Sequence, residues 1–436
     1  MRAFFLENMP RPCRSHLRII KKFLNLIFFV LAAGGLVAIF SFPLFAETLP
    51  ENKKTTAYQS YLDSFEEIYK LMAENYYYPV NRKDFDRFIV KFNSEIFKSL
   101  EDQNTVNDFA MMRSGAFLVD YLKTKDDRFS ALYPPQVAKE YEQEVLGVRV
   151  DLGITGSRCA EGYCVSFVES RADAFEKGLR PNDVITKIDH RPLASMTDEE
   201  IQKALTPEMN KAFMLEYRRP NVDGLTTITV TSKEYFKETV FPVTIPYPGI
   251  YCLEIRQFNR MTAADFSKYL FLINQQKSVG LILDLRGNPG GPPLAAREIV
   301  SFFLQPEKNF VYFERKGDTR NYLDVPKVPE EYRYPQPIII LVNEGSGSAS
   351  ELFSGVMQKE RHAVLMGTNT AGQVFLKSMF NLKDGAMLLL VTARGHFTDG
   401  NVFDFNGLTP EYRTDAKGAD LVYFAAGYLL GLANKK

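Results

Sequence analysis

The spacing of apolar residues divides the chain into four stretches. An uncharged apolar run over 23–46 follows a head that carries Arg2, Arg11, Arg14, Arg18, Lys21 and Lys22. The run is apolar on every face and long enough to span a bilayer. Its basic flank favours the cytoplasm, which sends the rest of the chain outward. It reads either as a membrane anchor or as a signal peptide cleaved after Leu44-Phe45-Ala46. Residues 47–56 are polar and read as a linker. From 57 to 143 the period is helical. Tyr58, Leu62, Phe65, Ile68 and Met72 recur every three or four positions and make one apolar face, which Pro79 ends. Further helices are expected over 84–100 and 107–122, then a turn at Asp126-Asp127-Arg128-Phe129-Ser130 and a short helix after Pro134-Pro135.

Between 146 and 236 the period changes to two. Strands are expected over 148–152, 163–168, 183–188, 213–218 and 226–231. Phe213, Leu215 and Tyr217 alternate with polar neighbours, as do Ile228 and Val230. One helix interrupts them, opened by the capping box Thr197-x-x-Glu200 and striped by Ile201, Ala204 and Leu205. Short strands with one or two helices predict a small, half-open β-barrel. From 237 onward strands and helices alternate. The continuous apolar runs 279–285 and 337–342 suit strands buried on both faces, and helical patterns cover 265–276, 292–304 and 348–360. The fold class expected is therefore multidomain, α/β and α+β. Residues 1–22 are a cytoplasmic segment, 23–46 a membrane helix or signal, 57–143 a helical segment, 146–236 the barrel and 237–436 an α/β core.

Composition narrows the function. With 436 residues the chain is long enough for two or three domains. Lys+Arg and Asp+Glu both number 53, so no basic surplus points to nucleic acid. The four cysteines match no zinc spacing, and neither metal nor organic cofactor is expected. Cys159 and Cys164 flank a hairpin tip, where they are either bridged or two free thiols, and export permits the bridge. Cys252, in an apolar strand, reads as core packing.

Two motifs carry chemistry. In Asp284-Leu285-Arg286-Gly287-Asn288-Pro289-Gly290-Gly291 a buried strand enters a glycine-rich turn. Such a turn exposes backbone N–H groups that can hold an anion or a developing oxyanion, although alone it reads more simply as a tight turn. It lacks the Gly-Lys-Ser/Thr ending of a phosphate loop. The second, Asn343-Glu344-Gly345-Ser346-Gly347-Ser348-Ala349-Ser350-Glu351, joins a strand to a helix. A serine there is a candidate nucleophile at a helix N-terminus. Taken alone, Ser348-x-x-Glu351 also reads as a helix cap.

Together these segments resemble the C-terminal processing peptidase family. Asp127-Arg128-Phe129-Ser130 is similar to its Asp-Pro-Tyr-Ser turn. Gly178-Leu179-Arg180-Pro181-Asn182-Asp183-Val184-Ile185 is similar to its PDZ signature, with Asn182 where glycine is usual. The segments 284–291 and 343–351 match its Asp-Leu-Arg-Gly-Asn-Pro-Gly-Gly and nucleophile segments. Leu382-Lys383-Asp384-Gly385, Thr392-Ala393-Arg394 and Thr398-Asp399-Gly400 continue the match. The resemblance implies a PDZ domain at 146–236 that takes substrate C-terminal tails, Ser348 as nucleophile, and the Gly287 and Ala349 N–H groups as oxyanion donors. Oligomers are common in the family, and nothing in this sequence decides the point.

One departure stands out. The family's Thr-Phe-Gly-Lys-Gly-Ser-Val-Gln is here Thr370-Ala371-Gly372-Gln373-Val374-Phe375-Leu376-Lys377, so lysine and glutamine have traded places. Positions four apart on a strand share a face about 13 Å apart, and both side chains reach toward the middle. Lys377 is thus expected as general base and Gln373 as the residue that orients it, with burial lowering the lysine pKa. The alternatives are an inactive tail-binding scaffold with Lys377 exposed, or another base. For the latter His396 stands ahead of His190 and His362, which read as surface residues. A working enzyme would sit in the inner membrane facing the periplasm, or free in the periplasm after cleavage.

Overall fold

The computed structural model describes residues 51–434 apart from 99, 101–106, 207, 307, 402, 404 and 405, with side chains described from residue 57 onward. The expected anchor or signal at 23–46 lies outside the described residues. Among the described helices none is long and apolar enough to cross a membrane. The chain divides after Pro50, and everything from Glu51 onward forms one unit.

Helices α1 (Glu51–Asn75), α2 (Arg82–Lys91, continued by a wider π-turn over Phe92–Phe97) and α3 (Asp108–Leu122) open this unit. Their apolar faces meet in an aromatic core around Tyr61, Phe65, Phe88 and Phe92. Asn81 and Asn107 cap α2 and α3 with their side chains. Strand β1 (Ala131–Tyr133) and helix α4 (Pro135–Leu146) follow. The alternation test misses β1, because three residues show no period.

The barrel region holds β2 (Val148–Asp151), β3 (Ile154–Cys159), β4 (Gly162–Val168), the single turn α5 (Asp173–Glu176), β5 (Val184–Ile188), β6 (Arg191–Pro192), α6 (Asp198–Leu205), β7 (Ala212–Arg218), β8 (Thr226–Thr231) and β9 (Lys233–Phe236). The main antiparallel sheet runs β3-β4-β5-β7-β8, with β6 beside β5, while β2 and β9 pair apart from it. The capping box at Thr197 and Glu200 forms. Strand β3 escaped the sequence reading because its residues Thr155 to Arg158 are polar or small. Asn182 adopts φ 74°, the left-handed turn that glycine usually fills. Cys159 and Cys164 are bridged across the β3–β4 tip, and Cys252 is free and buried.

The remainder contains β10 (Val240–Val243), β11 (Ile250–Ile255), α7 (Thr262–Gln275), β12 (Gly280–Asp284), α8 (Pro293–Val300), β13 (Asn309–Arg315), β14 (Thr319–Asp324), β15 (Ile338–Val342), α9 (Ala349–Arg361), β16 (Val364–Gly367), β17 (Phe375–Asn381), β18 (Met387–His396), β19 (Tyr412–Arg413) and α10 (Gly418–Ala433). One sheet runs β10-β11-β12-β15-β16-β19 and is parallel from β11 onward. β12 and β15 are buried at every position, which accounts for their unbroken apolar sequence. A second, antiparallel sheet runs β1-β18-β13-β14, with β17 on β18. Asp284 pairs with Leu341, so the loops after β12 and β15 leave the sheet side by side. This C-terminal edge of parallel strands is where open α/β sheets place their ligands.

Candidate active site

The two glycine-bearing loops interlock. The Ser346 hydroxyl donates to the Leu285 carbonyl at 2.7 Å, and the Gly347 N–H donates to the Asn288 carbonyl at 3.0 Å. The Ser350 hydroxyl donates to that same Asn288 carbonyl at 2.9 Å. Gly290, at φ 101°, lies against the nucleophile segment: a Cβ there would stand 2.8 Å from both the Ser348 Cβ and the Ala349 nitrogen. The glycine is therefore needed for contact as well as for its turn.

Ser348 sits at the head of α9 with φ 53° and ψ −114°, a region L-residues rarely occupy. Such a conformation costs on the order of 1–3 kcal/mol and persists only where surrounding contacts enforce it. Here the enforcing group is Glu351, fully buried. Its carboxylate accepts the Ser348 N–H (2.9 Å), the Gln373 N–H (2.8 Å), the Gly372 N–H (2.7 Å) and the Thr370 hydroxyl (2.6 Å). The N–H groups of Glu351 and Leu352 go to the Ser348 carbonyl at 2.9 and 3.0 Å, so the backbone of Ser348 receives the helix start. The box read from sequence as a cap thus also joins the Ser348 turn to segment 370–373. The Ala371 N–H reinforces this by donating to the Ser346 carbonyl at 2.9 Å.

The expected oxyanion donors differ in their surroundings. Ala349 begins the helix, beside Gly290. The Gly287 N–H instead donates to the Asn343 Oδ1 at 2.8 Å, an oxygen that also takes the Gly345 N–H at 3.0 Å. In this conformation Gly287 is engaged with the protein itself. In the sequence Asn343 shows only as the first residue of the nucleophile segment, with no signal for this role.

Gln373 and Lys377 stand on different pieces of backbone. Gln373 lies in the loop held by Glu351, ahead of β17, so the strand alternation that would align it with position 377 does not reach back to it. Lys377 is within β17, opposite Val391, beside a register shift between Leu376 and Lys377. Its ammonium nitrogen lies 5.2 Å from the centroid of the Phe129 ring. That ring is placed by Asp127, which accepts the N–H groups of Phe129 and Ser130 at 2.8 and 2.9 Å and the Tyr76 hydroxyl at 2.8 Å. The Ser130 hydroxyl in turn accepts the Val391 N–H at 2.9 Å, tying the turn to β18. Burial holds the Lys377 amine below the usual lysine value, and no carboxylate among the described residues lies within ion-pair distance of it. Among the described residues no hydrogen bond joins Lys377 to Ser348 or to Gln373.

His396 is buried, stacked on Tyr312 at 4.8 Å and 3.8 Å from Glu314, within the β13–β18 sheet. Burial lowers its pKa. His190 and His362 are exposed. Among the described residues no group of three His, Cys, Asp or Glu side chains is placed to share a metal ion.

A parallel sheet with a serine at a helix N-terminus thus stands in one chain with a small barrel. Residues 249–414 match the model of peptidase family S41, and residues 135–214 match that of the PDZ domain. The carboxy-terminal processing protease CtpB of Bacillus subtilis (strain 168) is 25% identical over 315 residues, 71% of this chain and 63% of that protein. A probable CtpA-like serine protease of Staphylococcus haemolyticus (strain JCSC1435) is 24% identical over 320 residues, 72% and 62% of the two chains. The chain thus spans a little under two thirds of the length of these relatives. A putative S41 protease from Bacteroides fragilis shares the fold with a TM-score of 0.51, at 16% identity, over 84% of this chain and 97% of that one. The two family-model matches and these relatives support the C-terminal processing peptidase family for this chain.

Proposed function

We propose that the chain is an exported serine endopeptidase that takes protein C-terminal tails in its PDZ domain and cleaves by a Ser–Lys mechanism. The observation that carries the reading is the half-buried, counter-charge-free amine of Lys377, on the strand that continues directly from the loop Glu351 clamps to Ser348. An amine held below its ordinary pKa is deprotonated for a larger fraction of time near neutrality and can accept a proton. In the reaction the Ser348 Oγ attacks the peptide carbonyl and its proton passes to the Lys377 Nζ. The developing oxyanion is met by the Ala349 N–H and by the Gly287 N–H once Asn343 releases it. Lys377 then protonates the leaving amine, and water resolves the acyl-enzyme with Lys377 again as base. On this reading Gln373 orients the amine once the two segments come together, since no hydrogen bond joins them in this conformation. No metal or organic cofactor enters. The Cys159–Cys164 bridge supports an oxidising compartment and hence export, either anchored in the inner membrane facing the periplasm or released into it.

Cleavage of a tail peptide should vanish in both Ser348→Ala and Lys377→Ala. Full activity in Lys377→Ala would refute the base assignment. A second reading, a tail-binding scaffold without catalysis, draws on the seat of Lys377 against Phe129 and on the occupied Gly287 N–H. A fluorophosphonate probe separates the two. Labelling of Ser348 supports the enzyme, and tight peptide binding with no labelling at any pH supports the scaffold.

A further inference from the structure

Two further departures accompany the lysine–glutamine exchange. The family's Asp-Pro-Tyr-Ser turn has tyrosine where this chain has Phe129, and its Thr-Phe-Gly-Lys-Gly-Ser-Val-Gln segment has serine where this chain has Phe375. Each change removes a hydroxyl, which can both donate and accept, and leaves an apolar ring. The two segments are far apart in sequence, yet the fold gathers the changed positions around one amine. The Phe129 and Phe375 ring centroids lie 6.0 Å apart, the spacing of an aromatic pair, and the Lys377 Nζ lies 5.2 Å from the Phe129 centroid. Phe375 and Lys377 are two positions apart on β17 and share a face. The register shift beside them skips Thr392 on β18, so the alternation of β17 itself is unbroken.

The rings are held in place from outside β17. Phe375 is buried, and the Phe129 turn hangs on Asp127, which the Tyr76 hydroxyl secures from just past α1. The carboxylates on neighbouring elements are engaged elsewhere, Asp127 with these donors and Glu314 with the Tyr77 hydroxyl. Asp126 and Arg128 of the turn are exposed, and Arg394, opposite Phe375 on β18, adds only positive charge. An ammonium placed here gives up water and gains neither hydroxyl in exchange, so the surroundings favour the uncharged amine. The face of a ring also attracts an ammonium, which acts the other way, so bulk and face have to be separated by experiment.

We propose that Phe129 and Phe375 are positioning residues for Lys377, forming an apolar seat that keeps water from its amine and suits the lysine this chain carries where the family has glutamine. Both changes meet at the residue whose chemistry they alter, which is the mark of a seat built for it. The kinetic consequence rests on the Ser–Lys reading, whereas the seat itself does not.

The test uses the full chain in mild detergent, with lysine labelled by carbon-13 at Cε. The Lys377 signal, assigned by its loss in Lys377→Arg, is titrated against pH, and fluorophosphonate labelling of Ser348 is followed in parallel. Phe129→Ala opens the seat at a half-buried turn residue. Its Lys377 midpoint should rise toward about 10.4, and labelling at pH 7 should slow about tenfold yet recover at high pH. Phe375→Ser should act in the same direction. Phe129→Leu keeps the bulk without the ring face and should hold the midpoint at or below that of the parent. Phe129→Tyr, which returns only the family's hydroxyl, serves where a truncation does not fold, and should also raise the midpoint. A parent midpoint near 10.4, or midpoints unmoved in the folded variants, would overturn the proposal. So would Phe129→Leu rising as far as Phe129→Ala, since apolar bulk at 129 would then not be what excludes water. A midpoint that moves while labelling stays constant would support the seat and refute the Ser–Lys reading.

Discussion

The carboxylate of Glu351 accepts the backbone N–H of Ser348 and that of Gln373 on the same oxygen, at 2.9 and 2.8 Å. One buried side chain therefore sets both the turn that presents the hydroxyl and the loop that leads into β17. Glu351→Gln keeps the shape but replaces one acceptor oxygen with an N–H₂ that faces donors. Leaving buried N–H groups unpaired costs about 1–3 kcal/mol each. We expect a lower denaturation midpoint, together with slower probe labelling of Ser348 than the lost stability explains. Unchanged labelling in a folded Glu351→Gln protein would show that the clamp is structural only.

Gly290→Ala tests the contact between the loops. The added Cβ would press on the Gly347 carbonyl oxygen at 2.6 Å and the Ser348 Cβ at 2.8 Å, at a φ of 101°. We expect a loss of about 2–4 kcal/mol and an unreactive Ser348, measured by chemical denaturation and probe labelling. Gly178, at φ 97° with nothing near its Cβ, serves as the control for strain without contact. Gly178→Ala should destabilise the chain less and leave labelling intact.

The depressed pKa of Lys377 fixes the sign of two pH effects. Between the folded value and about 10.4 in the unfolded chain, the unfolded state binds more protons. The burial cost is therefore present at low pH and relieved as pH rises through that window. The base form grows over the same window, so on the Ser–Lys reading kcat/KM should climb with a midpoint below 10.4. Lys377→Met removes both, so at pH 7 it should be at least as stable as the parent and fail to cleave. A less stable Lys377→Met protein would show that the amine makes a favourable contact that the described geometry lacks.

For His396 the sign is the same, but the window lies in the acid range. Burial lowers its pKa, so the unfolded chain takes up the proton first and stability falls as pH drops below about 6.5. His396→Phe keeps the stacking on Tyr312 and should flatten this acid limb, read as urea midpoints at pH 5 and 8. Peptide cleavage above pH 7 should change little if His396 is no part of the reaction.

Reduction of the Cys159–Cys164 bridge opens a loop of separation 5 at the barrel tip. The chain-entropy cost for so short a loop is about 2 kcal/mol. Thermal melts with and without reductant should show that loss, and the Cys159→Ala, Cys164→Ala protein should show none on adding reductant.

Periodicity alone carried much of the architecture. The continuous runs at β12 and β15, the alternation of β7 and β8, and the capping box at Thr197 all depend on neighbours within one element, so their signals are local. The same holds for the glycine loop at 287–291 and the serine at a helix start, whereas the lysine–glutamine exchange shows only through the resemblance to the family's motif. What failed to show was either too short, as in β1, or too polar, as in β3. Only the tertiary structure decided that Glu351 reaches across to Gln373, that Asn343 occupies the Gly287 N–H, and that Lys377 faces Phe129. Each of these joins residues brought close by strand pairing or loop docking, and a side chain's partner across such a gap depends on the three-dimensional path of both segments, which no one-dimensional period encodes.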